Sequence, residues 1–288
     1  MAHHARAPGP KHGGYTDFDR AYARLVIDIA RTGREKPSRQ KMDGPKGPQS
    51  LTAVSLTAAQ IRVPIGNLFV RSGRFEVENF PNLMSKYIPL GPVFAELAWF
   101  LRGETNSKDL EARGCKIWKD DADKAAERGF DGLDPGGLGP IYGHQWRKRP
   151  GGDQIERAVS ALMADPFSRR NVVSSWDADR ICEMVLPPCH FAFQFVCTPT
   201  TMFSAECTST SITVDCVVYM RSTDIGLGLP FNVLSYAMLT ILCLLEAEVR
   251  GRDKACAQDD RTPNWKLYQP GEVIVSMGDC HIYKPHLD

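Results

Sequence analysis

The stretch Val185-Leu-Pro-Pro-Cys-His-Phe-Ala-Phe-Gln194 runs from an apolar approach through two prolines to a cysteine, then alternates apolar residues as a strand does. Proline cannot donate to a β-ladder and fixes its own φ, so Pro187 and Pro188 stop regular pairing just before the sulfur. Cys189 is thereby offered at a strand entrance, where a thiol is a candidate nucleophile. The same pattern also suits a small buried thiol with no chemistry. Cys189 and His190, adjacent on a strand, point to opposite faces, which argues against a cysteine–histidine hydrolase pair.

Outward from this strand, elements of both kinds alternate without a strict βαβ repeat. Asn171–Trp176 reads as a buried strand before it; Met202–Thr208 and Ile212–Met220 read as strands after it. Asn232–Glu248 is the most hydrophobic helix, and Gly271–Met277 is a further strand. Towards the N-terminus, Tyr15–Thr32 has helical apolar spacing, Leu51–Phe69 is β-like with rough alternation, and Leu90–Leu101 is an apolar helix. Gly33–Ser50 is rich in Lys, Arg, Pro and Gly and reads as a loop, either a solvated one or a basic flap that closes on an anion. Residues 1–14, rich in His, Gly and Pro, read as a disordered tail. The expected fold class is α+β: a single domain over residues 15–288, built on a large mixed or antiparallel sheet with flanking helices.

Composition narrows the functions. The 288-residue chain is 43% hydrophobic and 24% charged, with a net charge of +1, so no nucleic-acid polymer or membrane surface is expected as partner. The apolar runs fall short of the ~20 residues of a membrane span, and the N-terminus lacks the apolar core of a signal peptide. Nine cysteines at irregular spacing make no disulfide framework and no zinc motif. A reduced, cytoplasmic protein without a metal is the expectation.

Certain charges stand apart from the solvated ones. Glu96 sits within the apolar helix Leu90–Leu101, where an ionised group is costly unless partnered. Arg169 and Arg170 occupy a turn before a strand, and Arg221-Ser222 follows another. Arginine with a hydroxyl at a strand end suits a phosphate monoester, although ion pairing is the commoner use of such arginines. An arginine beside Cys189 would also lower the thiol pKa. Anion site and nucleophile together read as an enzyme acting on a phosphorylated small molecule.

The ordered motifs Phe94-Ala-Glu-Leu-Ala-Trp-Phe-Leu-Arg-Gly103, Gly139-Pro-Ile-Tyr-Gly-His-Gln-Trp-Arg147, Asp165-Pro-Phe-Ser-Arg-Arg170, Leu186-Pro-Pro-Cys-His190, Arg221-Ser-Thr-Asp224, Gly228-Leu-Pro-Phe-Asn232 and Gly278-Asp-Cys-His-Ile-Tyr283 resemble the thymidylate synthase family, which includes pyrimidine nucleotide hydroxymethylases. The resemblance implies a homodimer that uses 5,10-methylenetetrahydrofolate and a pyrimidine nucleoside monophosphate. It implies that Cys189 adds to carbon 6 of the pyrimidine, making carbon 5 nucleophilic towards the folate's methylene. Glu96, Tyr142 and His190 would assist proton transfers. Arg221 and Ser222 would hold the phosphate, with Arg169 and Arg170 reaching in from the partner subunit and Arg39 as a mobile phosphate arginine. Asn232 would read the base, His281 and Tyr283 the sugar hydroxyl, while Trp118, Asp224 and Gly228 would line the folate side.

Departures from the family pattern bear on the product. Met220 replaces a glutamine usual in synthases, Asp121 stands where synthases carry a second tryptophan, and the chain ends five residues after Tyr283, where synthases continue into a capping tail. Exclusion of water decides whether the exocyclic methylene takes a hydride or a hydroxyl. These departures together lead to the expectation of a 5-hydroxymethylase acting on dUMP, dCMP or CMP, the alternatives being an ordinary thymidylate synthase and a catalytically silent nucleotide-binding relative. The Asn232 amide can face uracil or, flipped, cytosine; deoxycytidylate hydroxymethylases resemble an Asp there, which favours uracil.

Overall fold

A computed structural model describes residues 15–44, 47–71, 74–203, 208–257 and 268–287. In chain order the elements are α1 (Asp17–Thr32), β1 (Arg34–Gly44), β2 (Gly47–Pro64), β3 (Asn67–Arg71), β4 (Arg74–Glu78), α2 (Leu90–Leu101), α3 (Ser107–Glu111), α4 (Lys119–Asp123), α5 (Tyr142–Arg147), α6 (Gln154–Ala164), β5 (Val172–Ser174), β6 (His190–Phe203), β7 (Thr208–Asp224), α7 (Gly228–Ala257) and β8 (Tyr268–Tyr283). Six strands form one sheet in the order β1-β2-β8-β7-β6-β5, and β3-β4 is a separate hairpin. The β7–β8 pair is parallel and the other pairs of the large sheet are antiparallel. The expected α+β fold on a mixed sheet is what the chain adopts.

Alternation along the strands builds the core. Phe193, Val218, Val275 and Ile61 stand in register across four strands, and all are buried. Phe195, Cys216 and Val273 repeat the row two residues on. Alternate residues of a strand share a face, so this face is uniformly apolar. Helix α7 covers it with Leu229, Val233, Ala237, Leu244 and their neighbours, while Leu234 packs with Ile88 and Val93. By length and composition Gly228–Asp253 could cross a membrane, contrary to the reading of its apolar run as too short. However, 67% of its apolar window is buried within the fold, as a core helix requires.

Several boundaries differ from the sequence reading. The segment read as the loop Gly33–Ser50 is mostly strand: β1 pairs with β2 from Arg34↔Ser55 to Gly44↔Gly47, with a register shift between Pro37 and Lys41. Its prolines and glycines suggested a loop, yet β1 is an edge strand, where proline is tolerated and the shift absorbs it. Asn171–Trp176 is not a buried strand but the opposite edge, only Val172–Ser174, with Val172 exposed. Arg221, Ser222, His281 and Tyr283 lie within β7 and β8 rather than after them. The 1–14 tail lies outside the described residues.

Along one line across the sheet the pairing skips a residue, with a change of register only between β6 and β7. The Cα pairing shifts between His190 and Ala192 on β6, passes over Arg221 on β7 and Gly278 on β8, and passes over Ala58 on β2. Ala58 has φ 61°, a left-handed conformation that costs an L-residue about 1–2 kcal/mol. A Cβ at Gly278 would stand 3.2 Å from the Arg221 carbonyl oxygen, so this crowded line needs a glycine on β8. At this line the Arg221 N–H bonds the Cys189 carbonyl at 2.9 Å, just before β6 begins.

Candidate active site

Arg221 is the centre of the local hydrogen bonding. Its backbone N–H donates to the Cys189 carbonyl at 2.9 Å, its Nε to the Pro188 carbonyl at 2.9 Å and its Nη2 to the Pro187 carbonyl at 2.6 Å. Proline removes the donors from the turn at residues 187–188 but leaves carbonyls, which the guanidinium takes up. The same Nη2 lies 3.7 Å from Cys189 Sγ. The thiol pKa nevertheless goes up, because burial outweighs the pull of Arg221, and Asp121 adds to the rise. Arg221 does pull in the expected direction, but the net shift is upward.

Aromatic rings pack behind the thiol. The backbone N–H of Cys189 donates to Tyr142 Oη at 2.8 Å. Tyr142 stacks on His190 with centroids 4.1 Å apart, and His190 Nδ1 lies 2.8 Å from Tyr236 Oη. Burial lowers the His190 pKa to about 3, so the ring is neutral near pH 7 and can orient Tyr142 without carrying charge. Tyr142 itself is held far above the ordinary phenol range, first by burial and then by the nearby thiol. Tyr236 was not anticipated; it sits one turn after Asn232 on α7, a spacing that puts both on one helix face.

Glu96 completes the cluster from α2. It is buried, and Trp118 Nε1 donates to its Oε1 at 2.7 Å. Burial raises its pKa to about 7 against the opposing effect of that bond. The Trp118 and Tyr142 rings lie 6.0 Å apart, which links the Glu96 pair to the thiol cluster. Trp118 is therefore a partner of the acid, beyond its expected place on a folate wall.

The other candidates lie along one sheet face or at the start of α7. Ser222 is in register with Asp279, and Asp224 with His281. Tyr283 continues that face two residues on and bonds to Ser38. Asp224 Oδ1 accepts from the backbone of Gly226 at 2.8 Å and Leu227 at 3.3 Å, which fixes the entry into α7. Gly228 and Asn232 follow in the first turns, and a Cβ at Gly228 would lie 3.7 Å from Asn232 Oδ1. Arg169 and Arg170 are exposed in the turn before edge strand β5, and no described contact ties either guanidinium to the thiol cluster. Arg39 falls in β1, but its side chain lies outside the described residues. Among the described residues, no group of three or more His, Cys, Asp or Glu could hold a metal ion.

Residues 20–256 match the family model described as thymidylate synthase. The chain belongs to the thymidylate synthase family. It is also 38% identical over 239 residues to "Thymidylate synthase 1/2" of Encephalitozoon cuniculi, covering 77% of this chain and 70% of that protein. Membership makes it a folate-dependent enzyme that transfers one carbon to a pyrimidine nucleoside monophosphate, with methylenetetrahydrofolate as co-substrate.

Proposed function

We propose that the protein makes dTMP from dUMP by reductive methylation. The observation that carries the reading is the thiol of Cys189 beside Arg221, backed by the buried acid Glu96. Cys189 Sγ bonds to carbon 6 as its proton passes to solvent; the electrons of the carbon 5–carbon 6 π bond move to carbon 5, which attacks the folate methylene. Carbon 5 then loses its proton, the folate nitrogen leaves, and hydride from tetrahydrofolate completes the methyl group as the thiol is expelled. A neutral acid with a pKa of about 7 can both give and take protons near neutrality, which suits Glu96 to these transfers. Tyr142 and His190 hold the thiol segment in place. Arg221 and Ser222 hold the phosphate, Asn232 the base, and His281 and Tyr283 the sugar. Trp118, Asp224 and Gly228 bound the folate side, where Phe94, Ile117 and Leu227 add exposed apolar surface next in sequence to site residues.

The relative's printed name favours a synthase over a hydroxymethylase. One observation favours the second reading, release of a 5-hydroxymethyl nucleotide. Asp121, which accepts from Arg128 Nη1 at 2.8 Å, is close enough to the thiol to raise its pKa. An ion pair at that wall would admit water where an apolar wall would not.

The exposed Arg169 and Arg170 make sense in a homodimer, where they reach the phosphate of the partner's site, with Arg39 closing from the same chain. A reduced cytoplasmic setting fits the free cysteines. Mass spectrometry of products from parallel incubations with dUMP, UMP, dCMP and CMP plus methylenetetrahydrofolate tests the reading. A methylated product from dUMP with dihydrofolate supports it; a product one oxygen heavier selects the second reading; no product from any of the four sinks both.

A further inference from the structure

Strand β1 is tied to the sugar end of the site across the strand between them. Lys36 stands in register with Ala53, and Ala53 with Tyr283. A methyl group at position 53 leaves room for longer side chains of β1 to reach β8 over β2. Two do so: Lys36 Nζ pairs with Asp279 Oδ2, and Ser38 bonds to Tyr283; beside them Glu35 Oε1 lies 2.6 Å from Nζ of Lys284, the residue after β8. Asp279 is fixed a second time by Ser55 Oγ, 3.0 Å from Oδ1. That Oδ1 lies 3.5 Å from Nδ1 of His281, a buried ring whose Nδ1 has no hydrogen-bond partner in the protein. At this separation the carboxylate acts on the ring through its charge rather than a formed hydrogen bond, favouring the tautomer with the proton on Nδ1 and leaving the other nitrogen for a ligand.

We propose that Lys36, acting through Asp279, is a positioning residue for His281, fixing the ring nitrogen that meets the sugar hydroxyl of the nucleotide. The proposal rests on the nucleotide-site reading above. Lys36 and Asp279 are 44% and 32% exposed, so as an isolated surface pair they would contribute little. Their effect comes from what Asp279 faces. Without the lysine, Asp279 keeps Ser55 alone and is free to swing away from His281, and the ring loses its orientation. Lys36 was read as part of a loop, which is why its reach to β8 was not visible in the chain order.

Calorimetric titration with dUMP and with its 3′-deoxy analogue, on wild type, Lys36→Met and Lys36→Arg, tests this without needing turnover. Lys36→Met is expected to weaken dUMP binding about tenfold, the scale of one charge-linked hydrogen bond, and Lys36→Arg to restore most of it. The analogue lacks the hydroxyl that His281 would meet, so its affinity should be the same in wild type and Lys36→Met. That unchanged affinity also certifies that the variant is folded. Equal losses for both nucleotides, or no loss for dUMP, overturn the positioning role alone. A wild type that binds neither nucleotide overturns the nucleotide-site reading and this proposal with it.

Discussion

Replacing Glu96 by glutamine isolates the cost of an ionised acid in the site. The buried carboxyl has a pKa of about 7 in the fold against 4.5 unperturbed. Its folded pKa is the higher one, so the folded state holds the proton more tightly than the unfolded chain. The stabilisation is fully present below pH 4.5 and is lost as pH rises to about 7. At about 1.36 kcal/mol per pH unit, the gap amounts to about 3 kcal/mol over the whole window. Glutamine mimics the neutral acid and can still accept from Trp118 Nε1, but cannot ionise. Urea unfolding followed by tryptophan fluorescence, at one protein concentration, should therefore show wild type losing about 2–3 kcal/mol relative to Glu96→Gln between pH 5 and pH 8. Other titrating groups change alike in both proteins and cancel. Parallel pH profiles for the two would refute the claim that burial raises this acid. The variant should also lose turnover while retaining nucleotide binding, since the amide can no longer exchange a proton.

Three other outcomes follow from single contacts. Arg221→Met removes the one charge that pulls the Cys189 thiol pKa down, so the pH midpoint for iodoacetamide alkylation of Cys189 should move upward; a downward move would contradict the arrangement. Ala58→Gly should raise thermal stability by up to about 1 kcal/mol, because relief of left-handed strain exceeds the added chain entropy. Asp19 is buried and accepts from Thr16, Met84 and Ser85; these bonds outweigh the upward push of burial and hold its pKa below the usual carboxylate range. Its contribution is present above about pH 3.8 and lost as pH falls further. Asp19→Asn should cost about 2–4 kcal/mol at pH 7 in chemical denaturation.

The sequence reading reached the sheet, the core helix and the thiol cluster because those features are local patterns. Alternation at Phe193 and Phe195, the stop imposed by Pro187-Pro188 and the lone acid of an apolar helix are each visible within ten residues. What escaped it depends on pairs far apart in the chain. The strand character of β1 comes from its ladder with β2, which overrides a composition of Pro, Gly and Lys that favours a loop. Tyr236 becomes relevant only when α7 packs behind His190. The net sign of the thiol shift escaped it too, because a neighbouring arginine can be inferred from motif order, whereas the depth of burial that opposes it cannot.

Arg221 explains why the site forms at the start of β6. Strand β7 runs on through Arg221 to Asp224, and its register with β8 is the same on either side of that residue. From that strand the guanidinium reaches the carbonyls of Pro187 and Pro188, while its backbone N–H bonds the Cys189 carbonyl across to β6. The two prolines cannot donate to a neighbouring strand, so those carbonyls are presented at the sheet's end with no competing ladder. Backbone pairing and the two guanidinium bonds thus hold Arg221 to the segment that carries the thiol, which lies 3.7 Å from Nη2.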